Sequence, residues 1–540
     1  MTPRPAILAG AILCLLAAPG RARAGDADAY LGADRDALFR SYVADIRDGI
    51  ALSTNTFQRL GTTWDAELGR SRKRFLAART KEDVYYALLS LKNTVHDAHS
   101  RLSVPDSLLP RRETLRLPLG LRPARDSAGL KFVVAWSRRP GVEKGFTLKR
   151  YQGRTPEEAL AEFTEWYPSG SPEHREFEFA RWLTARDSNN APLPETRAAD
   201  LVFRDERGGR DVAVNAEFTE PRGAREGQAP ASEPALRDDP DYDGRTPDFS
   251  GLNYRVYRDS ATRTLVLRYF SFGYDFEPSE LWNRMRRLSY EPPPVREAGR
   301  YEAREAFEKI DVARLAEYLK SRNAAYDRLL VDVRENGGGP IAQRLTELLA
   351  RKPFRGTWSY AVFTPLLRRD KDFRAAAYRH PEAEKEAMSL RELESGAERS
   401  SPHAFVCVTP ACGPRDGDGR PAETGLNYKT FLLIGPYCVS SCDQFAAVFV
   451  DNDLGESVGL PAQGASSPSR ADKTFKLADG EEFSITLSFG ITFRPNGEIL
   501  EGNPARPHMT MYPGPNYLRK VLDAIASRTP PAAGSANRDR

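Results

Sequence analysis

Ser440 and a run of three glycines are the residues of this chain whose types and spacing could do chemistry. The glycines close the segment Leu329-Leu330-Val331-Asp332-Val333-Arg334-Glu335-Asn336-Gly337-Gly338-Gly339, and the serine lies in Tyr437-Cys438-Val439-Ser440-Ser441-Cys442-Asp443-Gln444-Phe445. Each segment reads as an apolar strand, a tight turn and then a helix. That geometry aims backbone N–H groups, and in the second case a hydroxyl, at one reacting carbonyl, as in a serine hydrolase. Contiguous glycines ahead of Pro340 leave N–H groups unhindered at a helix start, which suits an oxyanion or a phosphate. A phosphate loop is disfavoured, because no G-K-[ST] follows and the glycines are not spaced G-x-G-x-x-G. A tight structural turn is the competing reading. Ser440 stands where a helix N-terminus favours negative charge, with the Ser441 N–H beside it as an oxyanion donor; capping the helix is the commoner job for a serine in that place. A serine hydroxyl needs a base, and His96, His99, His174, His380, His403 and His508 are the histidines on offer. Spacing alone selects none of them.

The elements around these residues alternate as an α/β core requires. Thr264 to Phe272 reads as a strand, Val312 to Arg322 as a helix, Arg328 to Val333 as a buried strand, Pro340 to Ala350 as a helix and Thr430 to Ile434 as a second buried strand. Phe445, Val448 and Phe449 form one face of the helix after Ser440. A small helical unit precedes this core, over residues 25–112, with Leu38, Tyr42 and Ile46 at helical spacing and Thr80 and Asp83 as a capping box. Residues 113–220 change to strands, such as Leu130 to Trp136 and Asp211 to Val214, with a helix near Pro156 to Trp166. Residues 221–252, rich in Pro, Gly, Asp, Glu and Arg, read as a linker. The core then spans 253–527 with a polar insertion at about 364–427, and residues 528–540 read as a disordered tail.

Composition narrows the class. Across 540 residues, 79 basic side chains nearly balance 75 acidic ones, so no net field calls for nucleic acid or an anionic membrane. Residues 1–24 read as an export signal: Arg4, an apolar run from Ala6 to Ala18, and Ala22-Arg23-Ala24 as the cleavage site. The run is too short to span a bilayer, so the expectation is an exported protein, periplasmic or secreted, with no stable membrane insertion. Cys14 leaves with the signal, and Cys407, Cys412, Cys438 and Cys442 remain where disulfides persist. Cys438 and Cys442 bracket Ser440 and can pair with each other or with Cys407 and Cys412; zinc ligation is disfavoured by export.

Asp332-Val333-Arg334-Glu335-Asn336-Gly337-Gly338-Gly339 resembles the D-x-R-x-N-G-G-G segment of the S41 peptidases, the family of tail-specific (C-terminal processing) and tricorn core proteases. Ser440-Ser441-Cys442-Asp443 followed by Phe445-Ala446 is similar to that family's S-A-x-[ED]-x-F-A segment. Asp97-Ala98-His99-Ser100 resembles its D-G-H-T segment, and Gly497-Glu498-Ile499-Leu500-Glu501-Gly502 its G-x-x-x-E-G turn. The four matches fall in the family's order. The resemblance implies a ClpP/crotonase-like core of ββα units, Ser440 as nucleophile, His99 as base, Glu501 as third member, and the N–H groups of Gly338 and Ser441 at the oxyanion. It implies a polypeptide substrate and neither cofactor nor metal. Gly145 to Gly153 looks like the G-x-x-I-x-x-I-N-G stretch of PDZ domains, with Gln152 where Asn is usual; Gly120-Leu121 would then receive a peptide's C-terminal carboxylate, a plain β-domain being the alternative. The dyad lysine of the bacterial processing proteases is absent, since Ala465 stands at its place. The chain is therefore expected to be a Ser/His endopeptidase or, alternatively, an inactive peptide- or ligand-binding relative.

Overall fold

A computed structural model describes residues 26–51, 63–127, 129–167, 169–194, 196–220, 241–273, 286, 288, 300–339, 343–379, 384–404, 412–413, 424–465 and 469–528. The export signal, Cys407, His380, most of the linker and the tail beyond Arg528 lie outside these residues.

The core is a seven-stranded sheet in the order Met509–Thr510, Glu456–Gly459, Lys429–Ile434, Arg328–Asp332, Thr264–Tyr269, Tyr254–Asp259, Phe249–Ser250. Its first five strands run parallel, and the Tyr254–Asp259 and Phe249–Ser250 strands add antiparallel at one edge. Thr264–Tyr269 and Arg328–Asp332 are almost wholly buried, as strands covered on both faces must be, hence their unbroken apolar runs. One face packs on the helices Arg300–Arg322 and Ser441–Asp451, through Leu267, Leu315, Leu319, Val331, Leu432 and Phe445. The other packs on the Tyr517–Ala526 helix. Burying each such side chain is worth about 1.5–3 kcal/mol. This is an α/β core with additional units. The sheet begins inside the stretch read as linker: Phe249–Ser250 is a strand, and Tyr242 is buried with its hydroxyl donating to Asp332 Oδ2 at 2.7 Å.

Residues 114–220 form a five-stranded antiparallel sheet in the order Leu119–Asp126, Gly129–Ser137, Thr147–Tyr151, Ala198–Asp205, Arg210–Glu217. Helices Pro156–Trp166 and Pro172–Thr184 cover it, and its core is Phe132, Phe163, Phe179 and Phe203 with their neighbours. Leu119–Asp126 is an edge strand lying along the second helix.

The N-terminal helices Arg35–Gly49, Trp64–Ala77 and Lys81–Asn93 share one apolar cluster with the hairpin Arg470–Lys476 and Glu482–Ser488 and with three helices of the insertion, Pro365–Arg369, Lys371–Ala377 and Glu384–Glu394. The described helices of the insertion are therefore packed structure, with Leu366, Leu367 and Phe373 buried among their charges. Thr80 and Asp83 make the reciprocal bonds of a capping box, Asp83 N donating to Thr80 Oγ1 at 3.1 Å and Thr80 N to Asp83 Oδ2 at 2.9 Å. Among the described residues, no helix is long and apolar enough to cross a membrane.

Candidate active site

The Lys429–Ile434 strand enters the turn Gly435 to Val439, and the Ser441–Asp451 helix leaves it. Between them Ser440 takes φ 61° and ψ −118°, a conformation that costs a residue with a Cβ about 1–3 kcal/mol and persists only where the surroundings impose it. The surroundings are visible. Ser440 N donates to Asp443 Oδ2 at 2.9 Å, and Val439 N donates to Asn336 O at 3.1 Å. A disulfide joins Cys438 to Cys442 across the serine, with Cα atoms 5.1 Å apart and both residues fully buried. Cys412 is also disulfide-bonded.

Asp443 is the residue whose role the sequence reading missed. It is wholly buried and accepts three backbone N–H groups, from Ser440, Gly464 at 2.6 Å and Ala465 at 2.9 Å. Burial pushes its carboxyl up to about 7, with the three donors pulling the other way. Its offset of three residues from Ser440 was the available signal, as in any capping box. The position of the absent dyad lysine, Ala465, is thus tied by its backbone, while Lys473 pairs elsewhere, with Asp370 at 2.5 Å and Asp45 at 3.4 Å.

The structure brings His99 to Ser440: Nε2 lies 3.3 Å from Oγ. His99 comes from the loop after the Lys81–Asn93 helix, and that loop is pinned to the core. Ser100 Oγ donates to Thr486 O at 2.8 Å, Thr486 N donates to Arg101 O at 2.9 Å, and Leu102–Ser103 pairs with Ile485 and Ser484. Asp97 Oδ1 accepts the His99 backbone N–H at 2.6 Å and lies 4.0 Å from its Nδ1. One side-chain atom each of Asp97, His99 and Glu501 falls within 4.8 Å of the other two. Among the described residues these three are the one group with metal-ligand spacing, and two carboxylates around an imidazole are equally the setting that stabilises an imidazolium. Burial lowers the His99 pKa from its ordinary 6.5; Asp97 opposes this, and the charges of Arg470 and Arg101 add to it.

Three other histidines are engaged away from Ser440. His96 is buried with Nε2 3.8 Å from Glu67, and His508 Nδ1 accepts from Ser457 N at 3.1 Å. His174 is buried in the Pro172–Thr184 helix with Nδ1 2.7 Å from Pro436 O. The Ser171-Pro172-Glu173 start signal should have revealed that helix.

The glycine turn meets the serine turn directly, but with one departure from expectation. The Gly338 N–H, assigned above to an oxyanion, donates to Asn336 Oδ1 at 2.9 Å, because the asparagine side chain folds back on its own turn. Gly338 instead provides close approach. It has φ +85°, and a Cβ there would stand 2.4 Å from Val439 O and 2.9 Å from Ser440 Cβ. The Ser441 N–H, in the first turn of its helix, makes no hydrogen bond to a described residue.

Gly120 and Leu121 lie on the edge strand of the middle sheet, at a register shift. They line a cavity of about 530 Å³ with Trp136, Phe177, Trp182 and Tyr437. Tyr437 belongs to the Ser440 turn, while Ser440 and His99 themselves do not line this cavity.

Residues 305–511 match the sequence model of peptidase family S41. No curated protein matches the chain. Among solved structures, mature CPAF complexed with lactacystin is 17% identical over 91% of this chain and 97% of its own, with a TM-score of 0.60. Mature CPAF is 16% identical over 91% and 95%, with a TM-score of 0.59. The photosystem II D1 C-terminal processing protease matches at 10% identity over 91% and 97%, with a TM-score of 0.37.

Proposed function

On the premise that residues 305–511 belong to peptidase family S41, we propose that this serine-type peptidase is an exported, tail-specific endopeptidase using Ser440 and His99. The observation that carries the reading is the 3.3 Å approach of His99 Nε2 to Ser440 Oγ, which is hydrogen-bond reach before substrate tightens the site. His99 takes the hydroxyl proton as Ser440 Oγ attacks the peptide carbonyl. The Ser441 N–H at the helix N-terminus binds the oxyanion. Asp97 and Glu501 flank the imidazole and stabilise its cationic form. The imidazolium then gives its proton to the leaving amine, and water repeats the sequence on the acyl-enzyme.

The middle unit supports a PDZ-like role. An extended peptide adding to the Leu119–Asp126 edge would lie along the Pro172–Thr184 helix, with its C-terminus near Gly120 and Leu121. The Cys438–Cys442 disulfide fits the oxidising compartment that export through residues 1–24 would reach.

The test is incubation of the full chain with a reduced, unfolded polypeptide, followed by mass mapping of products. Internal peptide-bond cleavage is expected; hydrolysis of a small activated ester with the polypeptide left intact would contradict the reading. The pH profile gives a second check. Protonated His99 cannot accept the serine proton, so kcat/KM falls as pH drops through the His99 pKa, which burial lowers. The acid limb is therefore expected to have its midpoint below about 6.5, the value of an unperturbed imidazole. A midpoint above that value would show a different base or a different environment.

A further inference from the structure

A cleft of about 760 Å³ opens beside His99, walled on one side by the insertion, including Ala377 and Ser389 of its helices and Tyr378 and Arg379 just after the Lys371–Ala377 helix, and on the other by Arg101, Arg470 and Asp472. Ser440, Ser441 and Gly338 do not line it. His99 is the group that hands its proton to the departing amine. A cleft that meets the site at His99, and away from the oxyanion donor, is placed to take the segment beyond the scissile bond.

The charges in this cleft are uneven. Arg101, Arg379 and Arg470 face Glu386 and Asp472. Asp472 is already used: it pairs with Arg379 at 3.3 Å and accepts from Thr486 Oγ1 at 2.6 Å. Arg101 and Arg470 are exposed to the cleft, and neither forms a side-chain hydrogen bond or ion pair among the described residues. They are close enough that Arg470 feels the charge of Arg101 and that His99 feels both. Asp97 and Asp472 act on Arg470 without forming an ion pair with it; two guanidinium groups held near each other with no directly paired carboxylate repel, and a ligand carboxylate relieves that repulsion while accepting their forked donors.

Resting on the peptidase reading, we propose that Arg101 and Arg470 form a subsite for an acidic side chain, Asp or Glu, on the leaving-group side of the scissile bond. The protein is then selective for substrates carrying a carboxylate just after the cleavage point. This selectivity is separate from any capture of a chain terminus by the middle unit.

The test uses two quenched fluorescent peptides, both C-terminally amidated, that differ only by Glu or Gln after the cleaved bond. Wild type should favour the Glu peptide about tenfold in kcat/KM, less at high salt, and Arg101→Gln/Arg470→Gln should bring the ratio to within about twofold. Arg470→Glu should reverse the preference toward a Lys peptide. Thermal melts confirm that these exposed substitutions leave the fold intact. Equal cleavage of both peptides by wild type, or a ratio unchanged in the double variant, overturns the proposal. So does a Gln peptide with a free C-terminus that matches the Glu peptide, since the carboxylate would then come from the chain end. Binding of the same peptides to Ser440→Ala, read by fluorescence anisotropy, separates this inference from the peptidase reading. Tighter binding of the Glu peptide supports the subsite even where no turnover occurs, and equal or absent binding of both overturns it.

Discussion

Ser440→Ala, His99→Ala and the double variant are each expected to lose nearly the same factor in kcat, about 10⁴–10⁶, with KM changed by no more than about threefold. The two side chains act as one unit. Without His99 the Ser440 hydroxyl meets the carbonyl still protonated, and without Ser440 there is no oxygen 3.3 Å from Nε2 for the imidazole to activate. What survives is the binding of substrate and the Ser441 N–H at the oxyanion, which still accelerate attack by water. Substrate contacts along the cleft and the edge strand are untouched, so KM should hold. Steady-state kinetics on the full chain measure all three variants. Additive losses, with the double variant far below either single one, would mean that the two residues serve different steps.

Gly338→Ala is expected to lower kcat about 10²-fold and to destabilise the fold by about 1–3 kcal/mol. The glycine has no side chain, yet its backbone is packed directly against the serine turn. A methyl group there would lie 2.4 Å from Val439 O and 2.9 Å from Ser440 Cβ, on a backbone with φ +85°. Neither neighbour can move freely, because Val439 N is bonded to Asn336 O and Ser440 N to Asp443. Relief must therefore come from displacing the serine turn, and a shift of about 1 Å at a nucleophile costs on the order of 10² in rate. Gly337→Ala is the control. A Cβ at Gly337 meets nothing within 4 Å, and its φ is not positive. If both alanines retain wild-type kcat, the close approach of the two turns is not what sets the serine.

The contrast between these glycines shows what could be read from the chain before any coordinates. The strands Arg328–Asp332 and Lys429–Ile434 were legible because apolar runs bounded by turn residues have few other uses. The Ser440 turn was legible because a serine between a buried strand and an amphipathic helix has a narrow choice of roles. Three things were hidden. The Arg300–Arg322 helix extends well before Val312, through a stretch where charged residues outnumber apolar ones. The insertion packs on the N-terminal helices through a few apolar side chains spaced among many charges, and only the fold brings those elements together. The fate of the Gly338 N–H depends on a side-chain rotamer of Asn336, a choice made by local geometry that residue types do not encode. The pairing of His99 with Ser440 is the opposite case: separated by 341 residues, they could be matched in the sequence only by resemblance. The loop that carries His99 is held by the Ser100 hydroxyl bond to Thr486 O and by backbone bonds between the Arg101–Ser103 segment and the Glu482–Ser488 strand.

The central claim is that Ser440 is an activated nucleophile, and reaction with a fluorophosphonate tests it most directly. Wild-type protein, treated and then digested for mass analysis, should carry one adduct, on the peptide containing Ser440. Ser440→Ala should carry none, and His99→Ala should react far more slowly. A folded wild-type protein that stays unlabelled, or an adduct at another residue with Ser440 unmodified, would contradict the account.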